Sequence, residues 1–356
     1  MTTLDDAEAA VASAEEERRS ESIRRRNREL KAENERLRAE RERADEISRL
    51  VEHFDGGNLD IPQWTRDGSG KSGHHAIATL QLRDLHLDEV ISAKQILDYN
   101  QYDRRIAELR LKKLGDGTLK LARDYMAGVE YDGACVLATG DIFSGDIHEE
   151  LRITNEATLF EGVEFWVPRM VAFLKLLADD FLQLHVAAVV GNHGRMTQKP
   201  VYKNRTQSNI EWLFWHWVAD RLADDERIRF QIADGLADVV TLYSTRYSIE
   251  HGDEFRGGSG ISGAMAPLLL GQHRTSVQRM AMGTPVDYLV VGHFHQYRPP
   301  SAGIIMGGSM KGYDEYAAGK HFRPERPQQG FWLTSPEHGP TIAAPIFCDD
   351  RKAEGW

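Results

Sequence analysis

The sequence predicts a layered α/β domain over residues 76–356, preceded by a linker at 55–75 and a long N-terminal helix over 1–54. Three observations carry this reading. From Ala76 onward, short apolar, partly β-branched runs alternate with longer stretches of helical apolar spacing, the pattern of strands and helices stacked in layers. Residues 55–75 are dense in Gly, Ser, Asp and Pro, which interrupt regular structure. Residues from Ala12 to His53 contain neither Gly nor Pro and are rich in Glu, Arg, Ala and Leu, all good helix formers. The 356 residues are 41% apolar and 28% charged, a balance that excludes disorder throughout. No apolar run approaches the ~20 residues a membrane-crossing helix needs. The opening MTTLDDAEAA lacks the basic-then-apolar order of a secretory signal, so a cytoplasmic protein with no membrane partner is expected. Two cysteines, Cys135 and Cys348, are too few for a disulfide framework, and no disulfide is expected.

Residues 1–53 carry 15 acidic and 12 basic side chains, net -3 of the chain's -11. Ile23, Leu30, Leu37, Ala44 and Val51 recur every seven residues, with Asn27, Asn34, Arg41 and Ser48 at the other seam position. Asn in such a seam fixes register and oligomer state. A parallel coiled coil that makes the protein a homodimer is therefore expected, with a solvated single helix as the alternative. Arg24, Arg25, Arg26 and Arg28 invite comparison with basic helices that fork over DNA. Interleaved Glu15, Glu16, Glu17, Glu21 and Glu29 oppose phosphate attraction, and direct DNA binding by this helix is not expected.

In the linker, GSGKS looks like part of a phosphate-binding loop, but the first required Gly falls on Thr65 and no apolar strand precedes it. His74 and His75 read as loop residues. Beyond it, apolar runs at 76–82, 133–139, 185–190, 239–249, 287–291 and 303–306 are candidate strands. The stretches 160–182 and 208–223 have helical spacing, and their Trp and Phe residues read as core. The long intervals 88–130 and 144–168 read as insertions that shape a cleft.

Ligands collect at the C-terminal ends of strands in α/β sheets, and here those ends are rich in polar donors. They read Arg83-Asp84-Leu85-His86, Gly140-Asp141, Gly191-Asn192-His193, His251-Gly252-Asp253 and Gly292-His293-Phe294-His295. Imidazoles, carboxylates and a carboxamide without thiolate suit divalent manganese, iron, nickel or zinc.

Together and in this order, the five blocks resemble the calcineurin-like metallophosphoesterase superfamily, whose blocks run Asp-x-His, Gly-Asp, Gly-Asn-His-Asp/Glu, His and Gly-His-x-His. The resemblance covers roughly 76–310. It implies an α/β/β/α sandwich with two divalent metal ions, manganese first among them. It implies that Asp84, His86 and His295 hold one ion, that Asn192, His251 and His293 hold the other, and that Asp141 bridges them. His193 is implied as the catalytic acid near the leaving group. One departure is that Gly194 stands where the family has an acidic residue, so the group that orients His193 has to come from elsewhere. Asp253 is one conceivable source.

The implied activity is a metal-dependent hydrolase acting on phosphoester bonds. Two cations about 3.5–4 Å apart clamp phosphate oxygens, and a metal-bound hydroxide attacks phosphorus in line. After the third block, Arg195, Lys199, Lys203 and Arg205 form a basic loop in an acidic chain, which suits a substrate with several phosphates. Further cations such as Lys311 and Arg326 flank the last blocks, Tyr202, Tyr297 and Tyr313 are candidates for base stacking, and Gly257-Gly258-Ser259-Gly260 offers backbone amides. A phosphodiesterase acting on nucleic acid, a nuclease loosely similar to the DNA-repair exonuclease branch of the superfamily, is the leading expectation. A small-molecule phosphoesterase, either a cyclic-nucleotide phosphodiesterase or a phosphomonoesterase, is the alternative. A silent scaffold whose coiled coil recruits a partner is third, and the complete ligand set argues against it.

Overall fold

The computed structural model describes residues 24, 26–35, 38, 59–66, 74–197, 199–255 and 265–356. The chain divides into two units, 1–53 and 54–356. In the first, residues 26–35 are helical and exposed, Leu30 included. The remainder of the heptad series apart from Asn27 and Asn34 lies outside the described residues, as do the GSGKS stretch and the turn 257–260.

Two sheets build the second unit. The first has six strands: β1 (His75–Leu82), β2 (Glu130–Ala138), β3 (Leu184–Ala188) and β4 (Ile228–Ile232), with β10 (Gln328–Ser335) and β11 (Gly339–Phe347) on the far side of β1. Strands β1 to β4 run parallel, while β10 and β11 are antiparallel. The second sheet has the order β5 (Ala237–Leu242), β6 (Thr245–Glu250), β7 (Tyr288–Val291), β9 (Ile304–Gly307) and β8 (Tyr297–Ser301), with β6, β7 and β9 parallel.

Alternation along the strands explains why these sheets stack. Ile77, Cys135, Leu137 and Ala187 of the first sheet meet Val240, Tyr247, Ile249, Val290 and Ile305 of the second in one core, closed by Trp332. The neighbours of Val290 and Ile305, namely Leu289, Val291, Ile304 and Met306, turn the other way and cover Leu268 of the helix Met265–Ala281. The helices Arg104–Lys120, Leu159–Phe181 and Ile210–Arg221 pack on the first sheet. The result is the four-layer α/β/β/α arrangement that the sequence predicts. Among the described residues no helix is long and apolar enough to cross a membrane, and both cysteines are buried and free.

Most of the aromatic residues of the two expected helices are core, Trp166, Phe173, Trp212 and Trp215 among them, while Phe160 is exposed and Phe165 and Trp217 are half-buried. The first of these helices starts with a capping box, in which Thr158 accepts the N–H of Glu161 and the Glu161 carboxylate returns to Thr158. Three expectations need correction. The interval 88–130 is not an insertion shaping a cleft, because it contains Arg104–Lys120, a layer helix with buried Ile106, Leu111 and Leu114. Likewise 144–168 mostly forms the short helix Glu149–Thr154 and the start of Leu159–Phe181. The run 239–249 is two strands, because it reverses at Tyr243, whose φ of 53° makes a two-residue hairpin turn between Leu242 and Thr245.

Candidate metal centre

The strand ends that carry the predicted ligands are held by a continuation of the β1–β2 pairing. Beyond Leu82, the N–H groups of Asp84, His86 and Leu87 donate to the carbonyls of Gly140, Asp141 and Ile142 at 3.0, 3.1 and 2.8 Å. The two sheets are stitched together at the same end by buried Gln81 and Arg83, both of which donate to the carbonyl of Val291 at 2.8 Å. Tyr102, wholly buried, donates its hydroxyl to the carbonyl of Leu85, between two of the ligands. Asp84, His86, Asp141, His293 and His295 all adopt positive φ, between 45° and 67°. Left-handed backbone costs a non-glycine residue roughly 1–2 kcal/mol, and such strain gathers at functional sites. A Cβ on Gly191 would overlap the Asp141 side chain. Only glycine there lets the β3 end approach closely enough for Asp141 Oδ1 to accept the N–H of His193 at 2.8 Å.

All seven predicted ligands and His193 converge. Within the described residues, three groups have donor atoms mutually within 4.8 Å: Asp84, His86 and His295; His86, Asp141 and His193; and Asp141, His251 and His293. Asp141 Oδ2 lies at the centre, 3.0 Å from His251 Nε2, 3.9 Å from His86 Nε2 and 4.0 Å from His193 Nε2. Asn192 Oδ1 is 3.1 Å from His251 Nε2, and His86 Nε2 is 3.1 Å from His295 Nε2. Asp84 faces His295 through Oδ1 at 3.7 Å, and the Arg83 guanidinium grips its other oxygen.

Two of the histidines are oriented from behind by hydrogen bonds. Nδ1 of His251 donates to the carbonyl of Thr139 at 2.8 Å and Nδ1 of His193 to the carbonyl of Ser144 at 2.6 Å. Nδ1 of His86 lies 3.3 Å from Glu89 Oε2. For His251 and His193, fixing the outer nitrogen in this way turns the Nε2 lone pair inward, as metal-ligating imidazoles require.

This donor set fits cations. With Nδ1 of His251 committed, its Nε2 faces two acceptor oxygens, an arrangement that is favourable only if a positive charge sits among them. The chain alone supplies that charge as a proton: burial opposes it, yet Asp141, with Asp84 and Asp253 behind, pushes the His251 pKa up to about 10. Burial would raise Asp141, but the surrounding imidazoles, His251 first, hold it well below the usual carboxylate range. Burial, and then the charge of Lys311, keep His86 neutral by lowering its pKa well below normal.

Beside the centre, the basic loop only partly meets expectation. Lys199 and Lys203 are exposed, and Arg195 is half-buried with Nε donating to the carbonyl of Thr197 at 2.9 Å. Arg205 is a correction: it is buried and ion-paired with Asp253 at 2.6 Å and with Glu254, so its charge is taken up within the protein. Asp253 does not orient His193, whose Nδ1 is taken by the carbonyl of Ser144. Lys311 is likewise internal, held by Glu89 at 2.8 Å and Asp314 at 2.6 Å. Sequence reasoning missed Glu89, which backs His86, and His148, whose ring lies 5.7 Å from that of His193. Neither belongs to a motif. It also missed Glu211, wholly buried behind Asp141.

No protein-family model and no curated protein matches the chain. Solved structures do show likeness. Wild-type Vps29 from Entamoeba histolytica, complexed with Zn+2, matches at a TM-score of 0.31 and 13% identity over 77% of this chain and 100% of its own. A dimetal phosphatase from Danio rerio matches at 0.33 and 12% over 78% and 100%. The sulfate thiohydrolase SoxB from Thermus thermophilus, in complex with glycerol, matches at 0.31 and 13% over 81% and 58%. At these scores the functional reading rests on the ligand set of this chain.

Proposed function

We propose that the protein is a two-metal phosphoesterase that hydrolyses phosphodiesters, with nucleic acid as its leading substrate class. One observation carries this reading: eight side chains from five strand ends bring imidazole, carboxylate and carboxamide donors into one cluster centred on Asp141, two of the imidazoles held from behind at Nδ1. Asp84, His86 and His295 would hold one ion and Asn192, His251 and His293 the other, with Asp141 shared. When bound, such a pair neutralises phosphate oxygens and activates water at neutral pH.

The chain's own residues do the remainder. His193, its Nδ1 proton fixed on the Ser144 carbonyl, presents Nε2 to the site and, when protonated, gives a proton to the departing oxygen. Asp141 Oδ1 holds the His193 backbone in place through its N–H. The strained backbone at Asp84, His86, Asp141, His293 and His295 pre-sets the donors, so little reorganisation is needed when substrate binds.

Lys199 and Lys203, exposed on the loop that follows His193, support an extended, multiply charged substrate. The internal pairing of Arg205 favours the alternative, a small phosphoester such as a cyclic nucleotide or a phosphomonoester. Full-length protein with manganese, assayed in parallel on single- and double-stranded DNA, RNA, a cyclic nucleotide and p-nitrophenyl esters, separates these readings. Turnover of oligonucleotides is the expected result. Turnover of small esters alone supports the alternative, and no turnover of any substrate by metal-loaded protein contradicts the enzyme reading.

A further inference from the structure

Gly194 is where the family that the sequence resembles carries an acid, and in this fold the space is filled from another element. A Cβ at Gly194 would collide with Asn209 Oδ1 and lie 2.7 Å from Glu211 Cγ. Both residues begin the helix Ile210–Arg221. Asn209 is its N-cap, accepting the N–H of Glu211 at 2.9 Å while its amide donates to the carbonyl of Gly191 at 2.8 Å. The N–H of Ile210 donates to the carbonyl of Gly194 at 2.8 Å, and that of Met196 to Ser208 at 2.9 Å. The helix start and the 191–196 turn are thus one hydrogen-bonded unit.

Glu211 spends its two oxygens on two different loops. Oε1 accepts the N–H of Ile142 and Oε2 that of Gly191, each at 2.8 Å. Ile142 directly follows Asp141, and Gly191 directly precedes Asn192. A single buried side chain therefore ties the backbone of the shared ligand to the backbone of a ligand for one ion. Two converging N–H donors call for a group that only accepts, which a carboxylate is and an amide is not. Burying a carboxylate behind another carboxylate is costly, so packing alone does not explain the choice.

We propose that Glu211 is the positioning residue of the metal pair: from the helix start it occupies the space that a side chain at residue 194 would take, and it sets the spacing of Asp141 and Asn192 on which the second ion depends. This rests on the two-metal reading above.

The test uses full-length protein, titrated with manganese(II) alone by calorimetry and examined by electron paramagnetic resonance at two equivalents. Wild type is expected to take up two ions per chain with an exchange-coupled signal. Glu211→Ala should leave the first ion in place, weaken the second by about 10- to 100-fold and abolish the coupling. Glu211→Gln, equal in volume and keeping one acceptor, should fall between the two, a graded rescue that loss of general stability would not produce. If the Ala variant does not fold, the Gln variant decides, with a second ion weakened several-fold. Folded variants that bind both ions with wild-type affinity and coupling would overturn the role of Glu211 while leaving the metal pair intact. Wild type that takes up fewer than two ions would overturn the two-metal reading itself.

Discussion

The Nδ1 atom of His193 lies 2.6 Å from the carbonyl oxygen of Ser144. A carbonyl only accepts, so this hydrogen bond fixes the Nδ1–H tautomer and leaves Nε2 facing Asp141. The Ser144 loop is itself anchored by its N–H on the carbonyl of Leu87 at 3.0 Å, in the β1–β2 extension that also carries Asp84, His86 and Asp141. The orienting group that Gly194 does not offer is therefore backbone.

As a general acid, His193 makes a clear prediction. His193→Ala should keep its manganese, measured by elemental analysis, and lose about 100- to 10,000-fold in turnover on substrates with poor leaving groups. The loss should shrink for p-nitrophenyl esters, whose leaving group needs no proton. Equal losses on both would assign His193 to positioning.

The exposed cations of the basic loop should matter only for long substrates. Replacing Lys199 and Lys203 together with Ala should flatten the salt dependence of oligonucleotide binding by about 0.7–0.9 in log-log slope for each phosphate that is no longer neutralised. Hydrolysis of a one-phosphate ester should hardly change. Arg205→Ala, by contrast, should lower the thermal midpoint, because it leaves Asp253 and Glu254 without the cation between them. Wild type that binds oligonucleotides without salt dependence would remove the nuclease reading.

Acid stability should depend on His185, which belongs to none of the proposed ligand loops. Its imidazole is buried in β3 with Nε2 3.1 Å from Gln231 Oε1, and burial pushes its pKa down to about 4 from 6.5. Between those values the unfolded chain holds the extra proton, so this contribution to stability is complete above pH 6.5 and is lost as the pH falls to 4. The full effect is on the order of 3 kcal/mol. His185→Gln should flatten that part of the pH profile in denaturant unfolding, and parallel profiles for variant and wild type would contradict it.

The N-terminal unit should set the oligomeric state. Light scattering at micromolar concentration should find a dimer for the full chain, and removal of residues 1–54 should give a smaller species that still hydrolyses a small phosphodiester. A full-length monomer would contradict the coiled coil.

What could be read from sequence followed burial. Runs such as Cys135-Val136-Leu137 and Val186-Ala187-Ala188 are parallel strands covered on both faces, so they are continuously apolar, and their polar ends stand out. Strand β10, with Gln328, Gln329 and Thr334 buried, and β11, with Pro340 and Pro345, lack that signature because they extend the sheet antiparallel. Arg104–Lys120 hid because its buried face includes Arg110, which donates to Glu354 at 2.9 Å and to the carbonyl of Lys311 at 2.8 Å. The ligands were legible because each sits in a short block next to a strand. The groups behind them were not: Ser144 and Glu211 act through tertiary contacts that no local spacing records, and Glu89, three residues after His86, belongs to none of the strand-end blocks.

Crystals grown with manganese and measured at its absorption edge test the metal pair most directly. The expected result is two anomalous peaks about 3.5–4 Å apart, one among Asp84, His86 and His295, the other among Asn192, His251 and His293, with Asp141 touching both. A map with no peak there, and His251 Nε2 still in direct contact with Asp141, would contradict it.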